Sequence, residues 1–215
     1  FTRDMSSLPP IDFMNKILGN LNLQGLVCGF DFHFGYKGSG NVQFLQDNAP
    51  YEICVVSAVE DEQGKISSTR ITKCIEQGHM EEANRLLGSP FCMEGKVIHG
   101  KKRGTDMGFP TANVQVSDEY IIPKNGVYAG KIHVGRQSYG CMINIGLNPT
   151  FHDVDAISLE ANIFDFHEDI YGQVVSVDFL KFIRPEKQFR SKSNLVMQLE
   201  QDKRTIQKYF EEGVL

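Results

Sequence analysis

The feature that most constrains this chain is a succession of strand-like segments that takes over beyond Gly88-Ser89-Pro90. Residues 126–134, 138–145, 159–164 and 174–182 read as short strands, with Gly, Asn and Pro between them. Val175-Ser-Val177-Asp-Phe179 alternates apolar and polar positions, as a strand with one face buried must. Several short strands in succession, each with one apolar face, have few ways to bury those faces. A small antiparallel barrel or sandwich is the simplest. The chain then turns helical, with Leu195, Leu199, Ile206 and Phe210 on one face and Gln, Lys and Glu opposite. That helix is expected to close the barrel.

The first part has another texture. Pro9 and Pro10 precede a helical pattern through Phe13, Ile17 and Leu18, which Gly19 could end. Apolar runs at 26–28 and 51–59 read as strands. Ser67 or Ser68 can cap a helix through Ile71 and Ile75 to Gly78, and a second short helix follows over 81–87. Strands alternating with helices predict an α/β layer. Gly88-Ser89-Pro90 is a natural joint, so the expected division is 1–88 and 89–215.

Lys+Arg 22 against Asp+Glu 27 gives a net charge of −5, which argues against a protein that coats nucleic acid. No run reaches the ~18 apolar residues of a membrane helix. The five cysteines (28, 54, 74, 92 and 141) are odd in number, scattered and without a Cys-x-x-Cys pair. They predict neither a disulfide scaffold nor a zinc ribbon, and a cytoplasmic location is expected. The sequence begins at Phe1 without an initiator Met or a leader pattern, so a longer parent protein is expected.

Chemistry-bearing residues concentrate in 95–113, where four glycines and four basic residues share nineteen positions. Such a stretch reads as a loop whose backbone approaches an anion. Its start matches a phosphate-binding P-loop, but Lys stands at 102 where Ser or Thr must reach the metal, so that reading fails. The competing reading is an exposed basic turn. Pro110, Thr111 and Asn113 add a hydroxyl and a carboxamide two residues apart, hard oxygen ligands that suit Mg²⁺ beside phosphate, or else an ordinary turn. Residues 151–170 hold six carboxylates and no Lys or Arg. Asp153, Asp155, Glu168 and Asp169 sit in loop-like stretches as solvated groups. Glu160 lies in a strand-like run on the same face as Asn162, either as a general base at a cleft or on an outward polar face. Arg184, Glu186 and Phe189 could clamp a flat heteroaromatic ring. The six histidines form no metal-binding pair.

Taken in order, these segments resemble the riboflavin kinase family. The resemblance rests on Gly108-Phe-Pro-Thr-Ala-Asn113, Gly126-Val-Tyr128, the Asn144 to Phe151 phrase, a Glu-bearing strand from Glu160 to Phe166, Asp169-Ile-Tyr-Gly172, and Phe182-Ile-Arg-Pro-Glu186. The first part is similar to the later portion of the adenylyltransferase domain of bacterial bifunctional riboflavin kinase/FAD synthetases, on the phrases Gly29 to Gly35 and Ile66 to Arg70.

The resemblance implies an α+β chain: a six-stranded antiparallel Greek-key β-barrel with a C-terminal helix, preceded by part of an α/β, Rossmann-like nucleotidyltransferase domain. It implies ATP:riboflavin 5′-phosphotransfer giving FMN and ADP. Gly104, Gly108, Pro110, Thr111, Asn113 and Tyr171 would bind ATP, with Thr111 and Asn113 holding Mg²⁺. Glu160 would be the general base, and Arg184, Glu186 and Phe189 would line the flavin side. Asp31, Phe32, Phe34, Ser67, Ser68, Thr69 and Arg70 would be what this chain carries of the adenylyltransferase site. The His-x-Gly-His-type motif of that domain is not found here, so FMN adenylylation is expected only of the full-length parent.

Two positions depart from the family pattern. Thr105 stands where Arg is common, leaving phosphate contacts there to Lys101, Lys102 or Arg103. Asn162 stands where His is frequent and cannot shuttle protons near neutral pH. A flavin- or nucleotide-binding module without catalysis is the competing reading. The expected partners are small molecules (ATP, riboflavin and FMN), with no nucleic acid and no membrane, and a homo-oligomer is left open.

Overall fold

The computed structural model describes residues 2–100, 104–148 and 156–213. The chain forms two compact units, dividing after Ile66.

In the first unit, a short helix α1 (Arg3–Ser6) precedes α2 (Pro10–Lys16), with Pro at the first turn where its missing N–H costs nothing. Gly19 does not end this helix. The chain continues through a 3₁₀ turn, Leu18–Leu21, and stops at Asn22 (φ +49°), a residue type that tolerates the left-handed region. Strand β1 (Gly25–Gly29) follows, then a minimal pair β2 (His33–Phe34) and β3 (Gly40–Asn41), helix α3 (Val42–Asn48), and strand β4 (Glu52–Val56). β4 is shorter than the 51–59 run predicted. Past it the chain enters a small hairpin of β5 (Glu60–Asp61) and β6 (Gly64–Lys65). β1 and β4 pair in parallel, so the expected α/β layer is present. Phe34, Leu45, Met14 and Cys28 form its core.

The second unit opens with α4 (Ser68–Gln77). Ser67 caps it, accepting the Arg70 N–H, and Gly78 (φ +79°) ends it in the left-handed region. Helix α5 (Met80–Leu87) follows. Asn84 fastens α5 to the barrel, its amide donating to the Phe179 carbonyl at 2.8 Å while its oxygen accepts the Phe91 N–H at 2.8 Å.

Six strands then close the barrel: β7 (Phe91–Ile98), β8 (Ala112–Val116), β9 (Gly126–Val134), β10 (Gln137–Asn148), β11 (Ala156–Ile163) and β12 (Val174–Arg184), in spatial order β10-β11-β8-β7-β12-β9. Every neighbour is antiparallel. Helix α6 (Lys192–Glu211) completes the unit, its first turn capped by Ser191.

Strands β7 and β8 correct the sequence reading, which took 95–113 as one loop. Gly95 looked like a loop residue, yet it sits in mid-strand because its missing side chain lets β8 come close. A Cβ there would lie 2.3 Å from the Gln115 carbonyl oxygen.

The alternation read in 175–179 is the barrel's inner face: Val175, Val177 and Phe179 are buried with Tyr128, Ile132, Ile143, Ile145 and Leu159. Leu180 is buried too. The β12–β9 register shifts between Phe179 and Lys181, and Leu180 joins Val127, Ala129, Met142, Ile206 and Tyr209 in a second cluster that includes α6. So the barrel is covered by a helix on part of its outer face, and that is where the candidate site lies.

Candidate active site

Alternation along β11 sends Leu159 and Ala161 into the barrel core and places Glu160 and Asn162 on the outer face. Across the sheet, Glu160 is flanked by Asn113 on β8 and Asn144 on β10. A carboxylate among strand residues is thus half-buried in a polar row rather than sunk among apolar side chains. Thr111, two residues before Asn113, donates its hydroxyl to Glu160 Oε2 at 3.2 Å, and Ser158 Oγ lies 3.5 Å from Oε1.

Two cavities open here. One, of about 430 Å³, is lined by Val97, Pro110, Thr111, Ile163 and the 166–171 segment. Tyr171 stands at it with the His99 ring tilted 34° against its own, centroids 3.9 Å apart. The other, of about 730 Å³, is lined by Gly104, Phe109, Glu160, Asn162, Arg184, Glu186 and Phe189, with Leu195 and Leu199 of α6 also on its wall. Among the described residues, Thr111 alone lines both cavities.

The segment over this junction is held by its backbone. The Gly104 carbonyl accepts the N–H groups of Met107 (3.0 Å) and Phe109 (2.9 Å) around a 3₁₀ turn, Thr105–Met107. A Cβ on Gly104 would meet the Phe109 carbonyl oxygen at 2.2 Å, so the close turn depends on glycine. Lys192, at the start of α6, donates to the Asp106 carbonyl at 3.0 Å.

On the far wall, Arg184 lies 5.9 Å from the Phe189 ring centroid. Its guanidinium is held from behind by Asp202 of α6, with Nε 2.8 and 3.1 Å from the two carboxylate oxygens and Nη2 at 2.8 Å. Gln198 adds a donor to Asp202 at 2.8 Å.

The residues picked from sequence divide accordingly. Pro110, Thr111 and Tyr171 line the smaller cavity, and Glu160, Arg184, Glu186 and Phe189 the larger. Gly104 lines the larger cavity rather than the smaller. Gly108 lines neither; its φ of +80° serves the turn. Asn113 also lines neither, and its carboxamide lies against Gly100.

Lys101, Lys102 and Arg103 lie outside the described residues, as do Asp153, Asp155 and the end of the Asn144 to Phe151 phrase. Asn162, doubted as a proton shuttle, is buried and donates to the Pro110 carbonyl at 2.7 Å. Asp202 was missed. It falls on the apolar stripe of α6 four residues before Ile206, and a lone acid on such a stripe was the available signal.

The residues of the first-part phrases fall in different compact units. In the first, Phe34 is core, with Phe32 stacked on it at 5.6 Å, while Asp31 pairs with Lys65. The Lys65 ammonium holds the Asp31 carboxyl below its ordinary range. In the second, Ser67 is the α4 cap, Ser68 and Thr69 lie in its first turn, and Arg70 pairs with Glu82 at 3.0 Å.

Among the described residues there is no group of three or more His, Cys, Asp and Glu side chains that could hold a metal by themselves. No helix there is long and apolar enough to cross a membrane. Elsewhere on the barrel, burial pushes the Cys92 thiol up to about 11, aided by Asp178, and raises Cys141 as well.

Comparison with known proteins places the chain among two families. The family model described as riboflavin kinase matches residues 87–210, and the one described as FAD synthetase matches 1–70. A bifunctional riboflavin kinase/FMN adenylyltransferase of Listeria monocytogenes is 42% identical over 98% of this chain and 68% of its own length. One from Bacillus subtilis is 38% identical over the same shares. A crystal structure from Streptococcus pneumoniae, described as a macrolide-efflux protein, superposes with a TM-score of 0.88 at 39% identity, over 96% of this chain and 67% of that one.

Proposed function

The chain belongs to the riboflavin kinase family, and we propose that its two cavities hold ATP and riboflavin for direct transfer of the γ-phosphoryl group to the flavin's 5′-hydroxyl. The observation that carries this is the junction at Thr111: two cavities share this one residue among those described, and its hydroxyl stands 3.2 Å from the Glu160 carboxylate, which lines the larger cavity. ATP takes the smaller cavity, with its base near Tyr171 and its phosphates at Thr111. Riboflavin takes the larger one, its ring between Arg184, Glu186 and Phe189 and its ribityl end at Glu160.

Phosphoryl transfer asks the protein mostly for position and charge compensation. Glu160 orients the 5′-hydroxyl and accepts its proton as the oxygen attacks phosphorus. The bond to ADP breaks on the opposite side, and the products are FMN and ADP. Gly104, Met107 and Phe109 of the turn and Leu195 of α6 form the cavity wall around the junction.

The donors at the junction fit Mg²⁺. Thr111 offers a neutral hard oxygen beside Glu160, while Asn113, across the sheet from Glu160 with its carboxamide against Gly100, would have to turn toward the junction to add a second; so few oxygens suit a cation that keeps phosphate and water ligands. Bound there, Mg²⁺ would neutralise charge on the phosphates.

In this reading residues 89–215 form the kinase domain, in the cytoplasm. Residues 1–88 belong to an FMN adenylyltransferase domain whose activity is that of the longer bifunctional protein. The test is to incubate the protein with riboflavin, ATP and Mg²⁺ and separate the flavins by chromatography. FMN is the expected product. Flavin binding without FMN would make the chain a binding module instead.

A further inference from the structure

Asn162 has a spare half. The residue is only 6% exposed, and burying a carboxamide is costly unless its donors and acceptor are used. The structure shows one hydrogen bond, to the Pro110 carbonyl at 2.7 Å. A carbonyl oxygen only accepts, so this bond fixes the orientation of the amide: Nδ2 faces Pro110 and Oδ1 faces away from it. Oδ1 accepts no hydrogen bond among the described residues. No fully buried side-chain polar atom there lacks a partner, so Oδ1 retains some exposure, and the larger cavity is the one Asn162 lines.

We infer that Asn162 is a specificity-determining residue that joins the two substrates. Nδ2 anchors the Pro110–Thr111 turn, and Oδ1 accepts a hydrogen bond from a hydroxyl of the flavin's polyol chain. The inference rests on the flavin occupying the larger cavity.

The placement suits it. Glu160 and Asn162 are two residues apart on one strand face, a separation of about 6.6 Å. A five-carbon chain whose terminal hydroxyl sits at Glu160 therefore passes Asn162 with its inner hydroxyls. An acceptor beside Met142, its cross-strand partner, favours a donor over an ether or a methylene there. The anchoring half follows from the chain path: Pro110 precedes Thr111, so holding the Pro110 carbonyl fixes the backbone from which Thr111 reaches Glu160. Histidine at this position would offer one donor and one acceptor in another geometry. Asparagine performs both tasks without titrating near neutral pH.

The two halves separate by experiment. Binding of riboflavin and of its 2′-, 3′- and 4′-deoxy analogues is measured by flavin fluorescence with MgADP present, and turnover by FMN formation with MgATP. The unmodified protein is expected to disfavour one deoxy analogue by about five- to tenfold in Kd, the scale of one neutral hydrogen bond. Asn162→Leu should weaken riboflavin binding by a similar factor and bind that analogue no worse than riboflavin. Asn162→Asp, which keeps an acceptor but loses the donor to Pro110, should retain the discrimination while kcat falls.

Equal discrimination by the unmodified protein and the leucine variant, across all three analogues, would overturn the inference, and so would an unmodified protein that ignores every deletion. If the leucine variant is unfolded by thermal melt, the aspartate variant decides: loss of discrimination with a retained acceptor refutes the role of Oδ1. Discrimination with no FMN formed would leave this inference standing and remove the kinase reading, whereas no flavin binding at all would remove both.

Discussion

Replacing Asp202 by Ala tests how the flavin wall is built. Asp202 and Arg184 side chains are only 3% and 11% exposed, and the guanidinium meets the carboxylate through three contacts of 2.8–3.1 Å. After substitution Arg184 keeps the Pro185 carbonyl at 3.0 Å and its position over Phe189, but its charge is left buried without a counter-ion. Removing one partner of a buried pair costs about 3–5 kcal/mol. At about 2–4 °C per kcal/mol for a protein of this size, the melting temperature falls by about 6–20 °C.

Because Arg184 lines the larger cavity, the KM for riboflavin should rise while that for ATP holds. Pairing Arg184→Met with Asp202→Leu should recover most of the stability, since apolar replacement of a whole buried pair is often neutral or better, without recovering flavin affinity. Urea denaturation and initial-rate kinetics measure both quantities. A loss below about 1 kcal/mol for Asp202→Ala, or equal rises in both KM values, would refute the view of Asp202 as the support of Arg184.

Other expectations concern the scaffold. Gly95→Ala sets a Cβ 2.3 Å from the Gln115 carbonyl oxygen and 2.7 Å from Val114, so it should lower stability by about 1–3 kcal/mol in urea titration, with no such loss counting against the close β7–β8 approach. Ser67→Ala removes the α4 cap and should cost about 1 kcal/mol by the same assay. At pH 8, exposed Cys54 should react first with a thiol reagent. Cys92, pushed up to about 11, and buried Cys141 should label only slowly in the folded protein, and mass spectrometry that finds Cys92 as fast as Cys54 would contradict this.

The barrel was legible where apolar, strand-forming runs stood between Gly, Asn and Pro. Residues 126–134 and 174–182 sit in strands β9 and β12, and Ser67 and Gly78 bound α4 as their types suggest. It was illegible where glycine had two meanings. Gly95 marks a close strand crossing and Gly104 a tight turn, and composition alone cannot separate them.

The candidate site was legible as types of residue: Thr111, Glu160 and Arg184 each carry chemistry a reader can name. Their supports were not. Asp202 and Asn162 act through partners 18 and 52 positions away in sequence, and only the closed barrel brings those together. The expected α6 face through Leu195, Leu199, Ile206 and Phe210 included the right stripe without its buried acid.

In the proposed reaction Glu160 takes the proton of the attacking hydroxyl. The most direct measurement is FMN formation by Glu160→Gln under saturating riboflavin and MgATP, with nucleotide binding checked alongside. The account predicts turnover lower by about 10²–10⁴, the range for a lost general base, with ATP still bound. Near-normal turnover in this variant would contradict it.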